Sequence, residues 1–567
     1  MSQPNNDLSF DLLEQPWIIC ETGEGTEKLS IKQVFDGSAT PIQIRGDSPT
    51  QDYAVLRVLL AIFWRAQHSS AAGSRGWEQW FIAKRKELVD NGKDEVVLEY
   101  LNRYRHRFNL FDAEAPFMQV ADLDTTKSTR QSVSRILPDA EHDYFTMRTH
   151  EGRESLAFDE GARWLIHAQA YDYSGIKSGA VGDPRVKGGK GYPIGTGWTG
   201  MTGGTVIRGR SLLETLLLNT PQEVFSSDSV EDLPVWEREP DTAAQRNDRE
   251  GKIAKPLAPQ PQGAADLATW QSRRIRLFAE DNRVVAVLVS NGDPIPDAGK
   301  NVFGDPMTPY RFSKNQTKRG QLAFYPKPYD PQRTMWRSLD ALLVSESDAG
   351  FTKEEHAPKR PENLVNFSRI AKHERTREIA DVSIVSMEYG PQSSSVATVI
   401  TGNIGLPLSL LQDDRISRVH RQYVRDAADA TRNAATSLGW FAGQLGVAAG
   451  GEYKFDTDVA DRLYTVLEPL FIAWLRNLDL ERIEEEAVSW QAEIQRQVLE
   501  IAAEAVRGAG QKALIGRLID GEDDRGGHVV SAGSLYRQLQ YRIGNDLPLL
   551  REHEKEQRAL LKKGNQE

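Results

Sequence analysis

The 567-residue sequence has one cysteine, Cys20. A lone thiol excludes an internal disulfide framework and any thiolate-cluster metal site. Cys20 sits in the apolar "WIICE", where it is expected to pack rather than react. Long hydrophobic runs are also missing. The most apolar stretch, "AVLRVLLAIFW", is interrupted by Arg57 and falls well short of the ~20 residues a bilayer span needs. The N-terminal "MSQPNNDLSFDLLEQPW" has no basic region followed by an apolar run, so no secretory signal is read and a cytoplasmic chain without membrane contact is expected. The ten histidines are scattered and none has H-E-x-x-H spacing. Glu141-His142-Asp143 holds an H-D pair that no other histidine-aspartate set completes. Neither a G-x-S-x-G elbow nor a G-x-x-x-x-G-K-[ST] loop occurs. No catalytic residue, metal ligand or cofactor is assigned, and the chain is not read as an enzyme. No single charge sign dominates either: 70 Lys and Arg stand against 81 Asp and Glu, and the net of −11 marks no nucleic-acid binder. A local basic patch can still sit in an acidic whole.

What is present is an ordinary globular composition, 39% hydrophobic and 27% charged, over a length that exceeds one compact core. "WIICE" and "PIQIR" read as short strands flanking a helix-like "SIKQVF". Asp52 to Gln67 forms a helix with a broad apolar face, and "GWEQWFIAKRKELVDNG" a second, ending at glycine. From 137 to 205 the pattern is glycine-rich and irregular, and a helix resumes at Ser211. Residues 237–266 read as a long surface loop, mobile at least in part, and "RRIRLFAE" with "RVVAVLVSNGD" as a β-hairpin. "DVSIVSMEYG" is a strand stopping at Gly390-Pro391. Four long helical patterns follow, at 412–440, 457–477, 479–507 and 533–563. The expected class is α+β: a mixed body over 1–411 with small sheets and long loops, then an antiparallel four-helix bundle over 412–567.

Gly195-Thr-Gly-Trp-Thr-Gly200 spells G-x-G-x-x-G. A dinucleotide site needs a strand before that motif and a helix opening on it. "VKGGKGYPI" precedes it and "MTGGTVIRGR" follows, and neither supplies the element. The eight glycines between Gly188 and Gly204, bracketed by Lys187, Lys190, Arg208 and Arg210, suit either a phosphate chain or shallow groove, or a merely flexible loop. Between Arg311 and Arg337, seven Lys and Arg, among them Lys314, Lys318 and Arg319, interleave with Phe312, Phe324, Tyr325, Tyr329 and Trp336. That alternation fits a nucleic-acid surface or a solvated hairpin over a small core.

The order of several short words resembles a known family. These are "LLEQPWI", "APFMQ", "GGTVIRGRSLLETLLLN", "LPVWERE", "TWQSRRIRL" and "EYGPQSSSVATVI", closed by the helical bundle. Together they are similar to the CasA family, the large subunit of the type I-E CRISPR surveillance complex, Cascade. The resemblance implies a subunit that reads the protospacer-adjacent motif (PAM) of duplex target DNA from the minor groove and opens the strands. Guide RNA then pairs with the target, and a separate helicase-nuclease is recruited. It also implies contacts with other Cascade subunits and the guide RNA's 5′ handle.

By the same resemblance Gly195, with Gly197 beside it, matches the family's glycine loop, though Pro193 and Ile194 replace glycines there. Gln392 matches the glutamine wedge, Lys300 the lysine finger with Lys314 as substitute, and Phe145 the aromatic that touches the RNA handle. Lys187, Lys190, Lys314, Lys318 and Arg319 are candidate phosphate contacts. Two other readings stand beside this one. One is a helical-bundle scaffold that bridges subunits without reading DNA; the other is a nucleotide-dependent enzyme using the G-x-G-x-x-G.

Overall fold

The computed structural model describes residues 8–71, 76–138, 148, 150–225, 231–246, 260–295, 304–318, 322–329, 334–352, 356–374, 379–519 and 528–564. The chain divides into two compact units. The first comprises Met1–Pro331, Phe351–Thr376 and Asp381–Asn403; the second comprises Gln332–Gly350, Arg377–Ala380 and Ile404–Glu567. The second unit therefore draws in segments ahead of residue 412, which a single cut in the sequence does not reveal.

The first unit is built around the helix Pro49–Ala71. Its start is set by Ser48, whose hydroxyl accepts from the Gln51 N–H at 3.2 Å, and by Pro49 in the first turn. Every apolar side chain from Ala54 to Trp64 is buried, so this helix is covered on all sides rather than on one face. Arg57, the interruption in that run, pairs with Asp305 at 2.7 Å with both side chains buried. Asp305 also accepts from the Trp198 indole at 2.6 Å.

Against this helix packs another, Phe158–Tyr171, inside the stretch read as irregular. That reading is corrected, and the cause is physical. The helix is buried nearly all round, with Arg163, His167 and Gln169 among its buried residues, and Ala157 offers no capping side chain. Neither an amphipathic period nor an N-cap marks it in the sequence. Thr50 Oγ1 and His167 Nε2, 3.1 Å apart, join the two helices.

The sheets are small and antiparallel. Ile18–Thr22 pairs with Gly25–Leu29 and Gln43–Ile44, and buries Cys20, whose thiol burial pushes up to about 12. The expected hairpin forms from Arg273–Glu280 and Arg283–Asn291. Its two turn residues, Asp281 and Asn282, have φ of 50° and 59°, the left-handed pair that a two-residue hairpin turn requires. Gly204–Arg208 pairs with Ile379–Tyr389, which in turn neighbours Val396–Pro407. Residues 242–246 are not a loose part of a loop: Arg274 donates to the Thr242 carbonyl at 2.7 Å and the Ala244 carbonyl at 2.9 Å, and Arg246 pairs with Asp293 at 2.9 Å. The loop's centre, 247–259, lies outside the described residues.

In the second unit the helix Arg415–Ala448 packs against Thr457–Arg476, Ile483–Gly508 and Ala532–Asp546. Asp414 caps the first of these through the Ile416 and Ser417 N–H groups. The first two connections are short, as antiparallel neighbours require, whereas the one before Ala532–Asp546 carries the helix Gly510–Ile515 and the strand pair Arg517–Ile519/His528–Val530. The last helical pattern is broken in two, Ala532–Asp546 and Pro548–Gly564, because Pro548 cannot donate to a continuing helix. Trp336, Phe471, Trp474 and Trp490 form an aromatic cluster with neighbouring ring centroids 4.5–6.3 Å apart. Trp336 comes from Thr334–Leu343, which explains why that helix belongs to this unit.

Trp490 is buried, and its indole donates to Thr431 Oγ1 at 3.2 Å. Trp490→Ala is expected to lower stability by about 3–5 kcal/mol, read from chemical denaturation of the full chain. A loss under about 0.5 kcal/mol, typical of a surface change, would remove this cluster from the core.

Candidate nucleic-acid interface

The site begins at the carboxylate of Asp172, just past the buried helix Phe158–Tyr171. Arg273 Nε donates to Asp172 at 2.5 Å, Arg135 binds it through both terminal nitrogens at 2.8 and 3.1 Å, and Lys177 stands 3.0 Å away. Burial by itself would raise the Asp172 carboxyl, but Arg273, Arg135 and Lys177 outweigh it and hold the group well below the usual carboxylate range. At Lys177 burial wins instead. Burial pushes its ammonium down to about 7, with Asp172 opposing the shift and Arg135 and Arg273 adding to it.

Arg273 is fully buried and spends its remaining donors on backbone carbonyls. Nη1 reaches Ser272 at 2.9 Å, and Nη2 reaches Asp172 at 3.0 Å, Tyr173 at 3.0 Å and Gly195 at 2.8 Å. The same few residues hold a second element. The Ser174 N–H donates to the Ser393 carbonyl at 2.7 Å, and the Tyr389 hydroxyl donates to the Tyr171 carbonyl at 2.7 Å. Residues 171–174 thus carry both the glycine loop and the Gln392 turn.

The two glycines of interest do different things. Gly195 has φ +92° and is partly exposed, and a Cβ there would meet nothing within 4 Å. Its constraint is conformational, and its surface is open. Gly197, expected beside it as a groove contact, is buried: a Cβ would lie 2.5 Å from the Gln169 carbonyl oxygen and 2.6 Å from that of Ala170. It lets the loop lie on the end of the Phe158–Tyr171 helix and faces no groove. A single helical turn, Trp198–Met201, then leads to Gly204–Arg208. One turn after a two-residue strand, Lys190–Gly191, is not the strand-loop-helix of a dinucleotide site.

Gln392 is exposed at the tip of the turn between Ile379–Tyr389 and Val396–Pro407. Both Gln392 (φ 57°) and Ser393 (φ 54°) adopt left-handed backbone. Gly390 closes the turn by donating to the Ser395 carbonyl at 2.9 Å. Such backbone costs a side-chain-bearing residue on the order of 1–3 kcal/mol and persists only where its surroundings hold it. Here the Ser174 and Tyr171 contacts do so.

Lys187 and Lys190 are exposed and face each other across a tight turn, each N–H donating to the other's carbonyl at 3.1 Å. Lys314 and Lys318 are exposed on the hairpin Tyr310–Phe312/Phe324–Pro326. The base of that hairpin packs Tyr310 and Phe324 with Trp198, three residues beyond Gly195. Of the aromatics expected to interleave with cations, Phe324, Tyr329 and Trp336 are buried core residues and offer no face for stacking, while Phe312 and Tyr325 are half-buried. Phe145, Lys300 and Arg319 lie outside the described residues. Asp172, Arg273 and Tyr389 were not singled out from sequence. The available signal was the adjacent pair Arg273-Arg274 inside a strand, where both faces prove buried.

The family model of the CRISPR-associated protein Cse1 matches residues 11–501. The chain belongs to the Cse1 family. The crystal structure of Thermobifida fusca Cse1 is similar over 95% of this chain and 98% of that one, with a TM-score of 0.81 and 32% identity. CRISPR-associated protein CasA/Cse1 of Thermus thermophilus is 28% identical over 361 residues. That alignment spans 61% of this chain and 63% of the relative, less than two thirds of its length. A chain in a structure described as a CRISPR RNA-guided surveillance complex shares the fold at TM-score 0.61 and 18% identity, covering 88% of this chain and 99% of that one. The Cse1 fold thus extends across both units. Among the described residues no helix is long and apolar enough to cross a membrane, and no group of three or more His, Cys, Asp or Glu is placed to hold a metal.

The charge cluster beneath the loop has a pH signature. From about pH 7 to the unfolded lysine's ~10.4, the unfolded chain holds the Lys177 proton and the folded chain releases it, so stability rises with pH across that window. Lys177→Met is expected to flatten this rise in urea denaturation between pH 7 and 9.5. Equal slopes for the two proteins would count against a depressed Lys177. The Asp172 contribution has the same sign in a more acidic window: its stabilisation is present above ~pH 4 and lost as acid protonates the carboxyl.

Proposed function

We propose that this Cse1-family chain is the large subunit of a type I-E CRISPR surveillance complex and performs no bond chemistry. It recognises the PAM of double-stranded target DNA from the minor groove, starts strand opening for the guide RNA and helps recruit a helicase-nuclease. One observation carries the reading: a partly exposed, side-chain-free peptide at Gly195 and an exposed glutamine tip at Gln392 hang from the same residues, 171–174. The minor groove is narrow, so a bare peptide enters where side chains clash. A wedge that unstacks a base step costs a few kcal/mol, and neighbouring contacts must offset that cost. Lys187, Lys190, Lys314 and Lys318 are exposed cations for the flanking phosphates, and Lys300 and Arg319 are further candidates by their place in the sequence. The shared fold with a chain of an RNA-guided surveillance complex supports assembly with other subunits and guide RNA, with Phe145 proposed at the RNA handle.

The division of labour follows. The N-terminal body carries the reading loops, and the C-terminal helices meet neighbouring subunits. Leu514, Ile515, Leu518 and Val529 of the second unit are 56–79% exposed, and Leu518 pairs directly with Val529. This apolar ribbon favours the scaffold role for that unit, which on its own would leave DNA reading to other subunits.

In the guide-loaded complex, Gln392→Gly keeps the left-handed turn but removes the wedge, and Gly195→Asp strains the loop and repels phosphates. Each is expected to weaken PAM-dependent duplex binding at least about tenfold, ~1.4 kcal/mol, without loss of assembly. Unchanged binding by both variants, with assembly lost on altering Leu518 and Val529, would leave the scaffold reading alone. With a net charge of −11, the isolated chain is expected to bind DNA weakly and with strong salt dependence in a titration from low to physiological salt.

A further inference from the structure

Gly200 lies on the single helical turn after Gly195, and a Cβ there would collide with the Tyr389 hydroxyl. Tyr389 is the last residue of the strand Ile379–Tyr389, three positions before Gln392. Its ring therefore passes between the glycine stretch and the end of the Phe158–Tyr171 helix, where its hydroxyl donates to the Tyr171 carbonyl at 2.7 Å. The strand has a second tie to the same stretch: Ser386 Oγ donates to the Thr202 carbonyl at 3.0 Å in a buried position. On the other side of the turn, the Ser393 carbonyl accepts from Ser174, one residue from the Tyr173 carbonyl that shares Arg273 with Gly195.

We infer that Tyr389 is a positioning residue that locks the Gln392 turn to the Gly195 loop, so that the two elements meet DNA as one body. This inference rests on the assignment of those two residues as DNA contacts. Gly200 is what admits the lock, because any larger residue would displace the ring and with it the turn that follows. The physical benefit is preorganisation. Two separately mobile tips each lose conformational freedom on entering a groove, whereas a coupled pair has already lost it on folding. Holding functional groups to about 0.5 Å needs supporting residues whose own positions are packed and hydrogen-bonded. Tyr389 meets that requirement through one backbone hydrogen bond and one contact that only glycine permits.

The test is a double-mutant cycle in the guide-loaded complex, with two readouts. One is affinity for a PAM-bearing duplex; the other is hydrogen exchange of the peptide containing Ser174, which reports the Ser174–Ser393 bond. Gly200→Ala is expected to weaken binding about tenfold and speed exchange at Ser174. Tyr389→Phe removes the hydroxyl alone and is expected to cost about threefold, since one neutral hydrogen bond is lost. In the double variant the obstructing oxygen is gone, leaving Cζ of residue 389 at 3.2 Å and the Thr196 Cβ at 3.3 Å from the new methyl, contacts that a shift of a few tenths of an ångström relieves. Binding and exchange should then return to the Tyr389→Phe level, a rescue that independent structural damage at two sites does not produce.

Additive losses, or exchange at Ser174 unmoved by Gly200→Ala, would overturn the lock. Should Gly200→Ala fail to fold, Tyr389→Phe decides by itself: unchanged exchange and affinity overturn the inference. Exchange that follows the cycle while affinity stays constant in every variant, Gly195→Asp and Gln392→Gly included, overturns the DNA-reading assignment and with it the positioning role, while the contact itself stands.

Discussion

The placement of the Gly195 loop and the Gln392 turn depends on a single buried carboxylate. Asp172 is surrounded by Arg135, Lys177 and Arg273, and a charge taken out of water persists only when paired and hydrogen-bonded. Three cations exceed what one carboxylate neutralises, so the remaining donors need oxygens. The backbone supplies them: Arg273 takes carbonyls from Ser272, Asp172, Tyr173 and Gly195. Satisfying this arginine therefore dictates the course of the chain at 172–173 and again at Gly195. The loop's position is a by-product of electrostatic necessity inside the body.

What is exposed hangs from what is buried. Gly195 and Gln392 present little more than a peptide and one amide side chain. Most of the surrounding glycines serve the base. Gly200 clears Tyr389, Gly203 clears Tyr329 and Gly204 clears Tyr53, with backbone drawn against aromatic rings. The glycine richness of this stretch is thus mainly a packing device, which is why its composition alone fitted a phosphate loop, a flexible loop and a groove equally well.

The words that revealed the family have a common physical character. Gln119 of "APFMQ" donates to the Leu110 carbonyl at 2.7 Å and accepts from the Leu277 N–H at 2.8 Å. Glu237 of "LPVWERE" receives Arg65 at 2.8 and 2.9 Å and the Tyr100 hydroxyl at 2.7 Å. Arg273 and Arg274 belong to "TWQSRRIRL". These are polar groups inside a core, each needing one particular partner, and they stand out because an apolar residue would be the ordinary choice there. Where burial is uniform, as along Phe158–Tyr171, no such contrast exists and nothing in the sequence marks the helix.

The sequence by itself determined the element types with clear periodicity: the helix around Asp52–Gln67, the hairpin after Gln271 and the four helical patterns after 412. It also excluded the dinucleotide site, through flanks that cannot form the needed strand and helix, and it was sufficient for the family. Only the tertiary structure decided which glycine faces outward. Gly195 and Gly197 are two residues apart and chemically identical, yet one is open and the other lies against the Gln169 and Ala170 carbonyls. That difference is set by Arg273, 78 positions away in sequence, and by a helix end more than twenty residues earlier. Exposure is a property of what packs against a residue, and local sequence carries no record of it.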